Sequence, residues 1–402
     1  MGVIFLEKRG DFKMNIGQFR RYREENFEAS QWGERIQDKR KRPEIPTVQI
    51  FESLSEMVVF GQKSLLDLDQ FLRTLEARRW HGSDRAMVAS DTTLERVVEG
   101  MERTSIQGIG YRVIDKADEQ SLWDLKLPSG KKLRFGIVDG HWAGGIWASV
   151  LAVGGKSDGV VDLERYPGRG HELGASRQVL KRAFGKLGDG FFEMVAGDGL
   201  YASLEDFQLC LGHGSHLLVK TDEETLTVIQ DAKHLFSCRD AKSLKGVGWQ
   251  EGCDTTRLIE YEVWWAEEFD WQGLKMTVGW VKEHPLKPAK DRPEHTAYWV
   301  LTTATGLTGE DLRELAHLRW EIENNIFKRL NFLVESKRRH SHKPQVMEML
   351  LRIWMIGVTI LGAYLFERGW KTLKESWQAM KVTWHIVTEL MKRSLIMLYG
   401  YG

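Results

Sequence analysis

The sequence predicts an α/β protein with a mixed sheet, helical regions at both ends and a β-rich insertion. Three observations carry that expectation. Between Leu133 and Thr221, short apolar runs and helix-period segments follow in the order three strands, helix, strand, helix, strand. The leading strands are adjacent and hairpin-like, and the alternation after them makes the sheet mixed. From Thr221 to about Ala304 the composition shifts to β-branched and aromatic residues, and beyond it helical periodicity returns.

Taken in order, the first 130 residues or so read as helical. Ser64 to Trp80 places Leu65, Leu68, Leu72 and Leu75 at helical spacing, and Thr92 with Glu95 matches a capping box opening a second helix. Arg35 to Pro46 is basic and proline-ended, a loop. "LRFGIVD" is a buried strand ending at Asp139, followed by the strands "GIWASVLAVGG" and "GVVDLERYPG". Leu173 to Gly188 is a helix, "FFEMVAGD" a strand ending at Asp198, "SLEDFQLCLG" a helix and "SHLLVKT" the last strand. Inside the insertion, "RLIEYEVWWAEEF", "LKMTVGWVK" and "AYWVLTT" read as strands. "LTGEDLRELAHLRWEIENNIFKRLNFLVE" then forms a helix with Thr308 as N-cap, and helices continue to about Leu398.

At 402 residues the chain has room for about two or three domains. Lys plus Arg and Asp plus Glu both number 57, so net charge is zero and any nucleic-acid binding rests on local patches. The charged N-terminus does not read as a secretory signal. The most apolar window, Ile353 to Phe366, is shorter than the roughly 20 residues a membrane span needs, so it reads as a core helix. Cys210, Cys238 and Cys253 lack paired spacing and read as reduced thiols of a cytoplasmic protein.

Asp139 and Asp198 each end an apolar strand and precede a glycine, at the sheet edge where α/β sites form. Each alone reads as a turn cap. On neighbouring strands they would converge, and two converging carboxylates need a cation or a shared proton. Arg319 and Glu323 share a face of the later helix at i,i+4, a spacing that is also common in surface ion pairs, and Glu321 lies on the other side.

Asp139, Asp198, Glu323 and the strand order together resemble the ribonuclease H-like catalytic domain of DDE transposases. "LRWEIENNIFKRL" resembles the Arg-Trp-x-Ile-Glu segment of the bacterial insertion-sequence group with a Tyr-Arg-Glu-Lys signature, and "GDGLYASLEDF" and "LVKTDEETLTVIQDAKHLF" resemble the group around and after its second Asp. The resemblance implies a triad of Asp139, Asp198 and Glu323 holding two Mg²⁺ ions, with Mn²⁺ as a substitute. It implies metal-dependent cleavage at insertion-sequence ends and strand transfer into target DNA. Arg319 falls on the group's Arg, while its Tyr and Lys fall on Ala316 and Leu330. Basic contacts to DNA then fall to Arg319 with Lys328, Arg329 and Lys337. The implied partners are terminal inverted repeats, target DNA and a second copy of the chain, with no membrane. The expected domains are a helical DNA-binding region over 1–130, a catalytic domain over 131–221 and 305–345, the insertion over 222–304 and C-terminal helices over 346–402. Two alternatives stand beside this: an inactive copy that binds DNA without cutting it, and a metal-dependent nuclease of the same fold.

The remaining candidates read as structural. Trp264, Trp265, Trp271 and Trp280 pack on a sheet or stack on a DNA base. His213 and His216 lack ligand partners at metal spacing. His141 reads as a loop histidine, and Trp354, Trp370, Trp377 and Trp384 as helix packing.

Overall fold

The computed structural model describes residues 16–41, 43–74, 77, 89–287 and 295–369. Its longer helices are α1 (Ile16–Phe27), α2 (Thr47–Phe60), α3 (Leu65–Leu72), α4 (Asp91–Gly100), α5 (Arg103–Glu119), α6 (Glu172–Leu187), α7 (Leu204–Gly212), α8 (Thr227–Phe236), α9 (Gly309–Val334) and α10 (Pro344–Tyr364). The strands are β1 (Leu125–Lys126), β2 (Lys132–Leu133), β3 (Phe135–Ala143), β4 (Ile146–Gly154), β5 (Asp158–Tyr166), β6 (Met194–Gly197), β7 (His216–Thr221), β8 (Val247–Asp254), β9 (Ile259–Trp271), β10 (Leu274–Pro285) and β11 (Thr296–Thr302). β1 and β2 pair as a short ribbon, and the others form one nine-stranded sheet in the order β5-β4-β3-β6-β7-β11-β10-β9-β8. The sheet is mixed, as the sequence predicts. β3, β6 and β7 run parallel, while β4–β5 and the pairs from β7 through β11, β10 and β9 to β8 are antiparallel.

The chain divides into two compact units, one of residues 1–123, 140–175 and 324–402 and the other of residues 124–139 and 176–323. In the first, α10 packs against α2, β5 and α5. Its residues from Val346 to Tyr364 are all buried because apolar side chains surround the helix on every face. Gly357 lets α2 approach, since a Cβ there would meet the Ser55 carbonyl oxygen at 2.3 Å. This helix is long and apolar enough to cross a membrane, yet 94% of its apolar window is buried inside the protein, which fits a core helix.

In the second unit the insertion does not form a separate sheet. β11 pairs with β7, so β8 to β11 extend the sheet of the preceding strands. The segment also contains α8, where the sequence suggests only β structure. Val228, Ile229 and Ala232 sit at helical spacing and are buried, and the helix packs on β9 and β10. β8 is a further strand that the sequence does not announce; its mixed residues are half-buried or exposed, without the apolar run that marks a strand.

Three boundaries move. α4 begins at Asp91 with Ser90 as its N-cap, accepting from the Thr93 amide at 3.2 Å, two residues ahead of the expected Thr92. Glu95, the expected partner of that box, instead accepts from Ser341 Oγ at 2.7 Å. The helix from Ser64 ends at Leu72, with the Ser64 side chain capping it. β3 continues past Asp139 to Ala143, because its hairpin with β4 extends both strands to nine residues. Trp354 is fully buried, as expected of helix packing; Trp370, Trp377 and Trp384 lie outside the described residues.

Candidate active site

Each of the three parallel strands is buried up to one position and half-exposed there. On β3 the residues Phe135 to Val138 are buried and Asp139 is the first that is not; on β6 the same holds for Asp198 after Gly197, and on β7 for Lys220 after Val219. The last β3–β6 pair is Ile137 with Ala196, two residues short of Asp139 and Asp198, so both aspartates leave the same edge of the sheet. Gly197 pairs with Val219, so one residue on Asp198 stands beside Lys220. Neighbouring strands lie about 4.8 Å apart. The two sequence-predicted aspartates therefore share one edge of the sheet with a lysine.

Local structure fixes each group. Asp198 leaves β6 in extended conformation and caps the short turn Gly199–Tyr201, its Oδ1 accepting from the Leu200 amide at 2.9 Å. Lys220 projects its Nζ over the Tyr298 ring, 3.8 Å from the centroid. Burial lowers its pKa to about 8; Glu283 pulls the other way, while Arg319 and Arg313 add to the depression. Sequence reasoning misses Lys220, although "SHLLVKT" shows the signal that marks the aspartates, a polar residue closing an apolar strand.

Arg319 reaches this edge from α9. Its Nη1 lies 3.7 Å from Asp139 Oδ2, with side chains 12% and 16% exposed. The helix is fixed along its axis at two places. At its start, Thr308 Oγ1 accepts from the Asp311 amide and Asp311 Oδ2 accepts from the Thr308 amide, both at 3.1 Å, a reciprocal cap. Further along, Arg313 Nε donates to Glu283 Oε1 at 2.6 Å and both its terminal nitrogens reach Asp254 at 3.2 Å. His317 Nε2 sits 2.6 Å from the same Glu283 oxygen, and Arg257 ties Asp254 to Glu314. Burial alone would raise the Glu283 pKa; the His317 hydrogen bond and Arg313 more than offset it and hold the carboxyl below its ordinary range.

Glu323 follows Arg319 by one turn of α9, and its side chain lies outside the described residues. Among the described residues no group of three or more His, Cys, Asp or Glu donors forms. Asp139 and Asp198 are suited to a hard divalent cation, which takes one or two carboxylates and completes its shell with water and phosphate oxygens.

The other basic candidates belong to the first unit. Lys328 and Lys337 are exposed, while Arg329 forms an ion pair with Asp158 at 3.0 Å. Ala316 and Leu330, at the positions of the expected Tyr and Lys, are both fully buried, so each serves the core.

His141 is a buried strand residue rather than a loop one. Its ring stacks on Phe327 with centroids 3.9 Å apart, and Nε2 has no hydrogen-bond partner among the described residues. Burial first, and Lys337 second, lower its pKa to about 4, so the ring is neutral near pH 7. His213 pairs with Asp189 and stacks on Phe184, and His216 contacts Thr303. The insertion tryptophans pack on the sheet. Trp271 abuts Phe207, Trp280 lies near Trp299, Trp264 donates to Glu262, and Trp265 covers Gly309 at the start of α9.

No protein-family model and no curated protein sequence matches this chain.

Proposed function

We propose that this protein is a transposase that cuts DNA at the ends of its own insertion sequence and joins them to target DNA, using a ribonuclease H-like core. The observation that carries the reading is the common sheet edge of Asp139 and Asp198, with the Arg319 guanidinium 3.7 Å from Asp139. The strand order β5-β4-β3-β6-β7, three strands in sequence followed by two parallel crossovers, supports that core. So does the return of the chain as one long helix after the insertion.

Asp139 and Asp198 would hold Mg²⁺, or Mn²⁺ in its place, and Glu323 is the proposed third carboxylate. Bound there, the cations supply Lewis-acid activation of the water or 3′-hydroxyl nucleophile and of the phosphate. The rest falls to the protein. Arg319 presents a planar donor pair beside Asp139, matched to two oxygens of the scissile phosphate. Lys220 adds a second positive charge at the same edge and offsets charge as the phosphorus becomes five-coordinate. The Leu200 amide holds Asp198 in one orientation. Arg313 and His317, both bound to Glu283, keep α9 from sliding and so keep Arg319 in reach of the cut. A second copy of the chain would bring two ends together.

The test uses a duplex carrying the DNA that flanks the coding region, with MgCl₂ or MnCl₂. Nicking and joining by the wild type, and loss of both in Asp139→Asn and Asp198→Asn with end binding retained, are the expected results. Strand transfer by Asp139→Asn would overturn the mechanism. End binding without metal-dependent cleavage by the wild type would favour an inactive copy.

A further inference from the structure

β3 and β4 are joined by a two-residue turn, Gly144–Gly145, with φ of +55° and +96°. Two positive φ values are what a type I′ turn requires, and such a turn fixes the hairpin register. Ala143 and Ile146 flank the turn, so Trp142 stands across from Trp147. Trp147 is in turn paired with Tyr166 on β5, and their rings stack 6.3 Å apart at 27°. Three aromatic side chains thus form a row on one face of three adjacent strands. Trp142 is 41% exposed, a large apolar surface to leave in water, and Trp147 is half-buried.

Cations border this row. The Arg339 guanidinium lies over the turn, where a Cβ on Gly145 would come within 2.7 Å of its Nη2. Arg339 is exposed, as are Arg169 and His171 on the loop that follows Tyr166. The acids close in sequence are engaged: Glu172 accepts from the Tyr166 hydroxyl at 3.2 Å, and Glu335 faces Arg338 at 3.7 Å. An exposed indole beside exposed cations matches the two needs of an unpaired nucleic-acid strand, a flat surface for a base and positive charge for its phosphates.

We propose that Trp142 and Trp147 form a stacking platform for single-stranded DNA, with Arg339 contacting the strand's phosphates. The platform goes beyond the strand-cutting reading and stands without it, since stacking needs no metal ion.

The test measures binding of a fluorescein-labelled oligothymidine of about 15 nucleotides to the full chain in EDTA, so that cleavage cannot contribute. Trp142→Ala weakens binding about tenfold and Trp142→Phe restores most of it. Arg339→Ala lowers the slope of log K against log salt by about 0.7, the share of one phosphate that is no longer neutralised. Wild-type binding by a folded Trp142→Ala overturns the platform. So does equal weakening of a blunt duplex, which would point to a double-stranded groove. Should Trp142→Ala fail to fold, Trp142→Phe against Trp142→Leu decides, because leucine keeps the apolar bulk and removes the ring; equal binding by the two is the overturning result. A wild type that fails to cut DNA would sink the strand-cutting reading and leave this one standing.

Discussion

Asp162 on β5 accepts from Arg352 at 2.5 Å and from Tyr111 at 2.8 Å, and its side chain is 2% exposed. Asp139 on β3 faces Arg319 at 3.7 Å and is 16% exposed. Both are strand carboxylates beside an arginine, but their surroundings differ. Around Asp162, Arg352 also donates to Glu348 and to the Leu163 carbonyl, so charge and hydrogen-bond geometry are satisfied within the protein. The Asp139 edge sets two aspartates with Lys220 and Arg319, and its carboxylates stay half-exposed. The first cluster holds a fold; the second is where the proposed cation would sit.

That contrast breaks most sharply under substitution. Asp139→Asn keeps the shape of the side chain and removes its charge from a half-exposed site. Strand cutting should fall by about 10³-fold or more, since several kcal/mol of metal-assisted stabilisation is lost at about 1.4 kcal/mol per factor of ten. The melting temperature should move by no more than about 2 °C, because a surface-type change is worth about 0.5 kcal/mol or less. A large drop in stability with cutting intact would reverse the assignment of the two clusters.

Arg352→Met is the mirror experiment. Arg352 is 4% exposed, and its loss leaves the Asp162 and Glu348 carboxylates buried against β5 and α10 without their shared cation. Breaking one side of a buried pair costs about 3–5 kcal/mol. Urea unfolding at neutral pH measures it, and a shift below about 1 kcal/mol would mean that this cluster, too, is held loosely.

A third network sharpens the comparison through pH. The Glu283 carboxyl, against burial, is held below its ordinary range by His317 and Arg313. Asp254 is also held well below its ordinary range: burial opposes, and Arg257 and Arg313 prevail. A carboxylate with a depressed folded pKa contributes stability that is complete above its unfolded pKa and is lost as pH falls through the folded value. Stability should therefore be level near neutral pH and decline from about pH 4.5 downward, the range of an unfolded carboxylate. Arg313→Met should flatten that decline relative to its own neutral-pH value. An equally steep acid limb in the variant would assign acid sensitivity to other carboxylates.

How far the sequence discloses these clusters follows from range. Apolar runs announce β3, β6 and β7, and the polar residue closing each run marks Asp139 and Asp198. Lys220 closes its run in the same way, but only strand register shows that it stands beside Asp198. Asp162 and Arg352 are 190 positions apart, and nothing local in "GVVDLERYPG" says that its aspartate is internal. α8 escapes notice because the β-branched composition around it outweighs one short helical period, and β8 because it lacks an apolar run. Ala316 and Leu330 depart from the group's signature, and their burial gives a physical reason: both face the core.

The smallest effect concerns how α9 carries Arg319. Thr308 is legible as its N-cap, but the sequence does not reveal that Asp311, fully buried, returns the bond and accepts from the Ser129 amide at 3.0 Å as well. Thr308→Ala removes one half of that box and should cost about 1 kcal/mol. The helix would remain anchored through Arg313 and His317, which hold it to β10 ahead of Arg319. Stability should thus fall slightly while the KM for end DNA stays within about twofold. Asp311→Ala also strips the Ser129 amide of its acceptor and should cost more than Thr308→Ala. If Thr308→Ala lowers strand cutting in proportion to stability, Arg319 is positioned from the cap; if cutting is unchanged, it is positioned from Glu283, and the network at β10 is what aligns the arginine with Asp139.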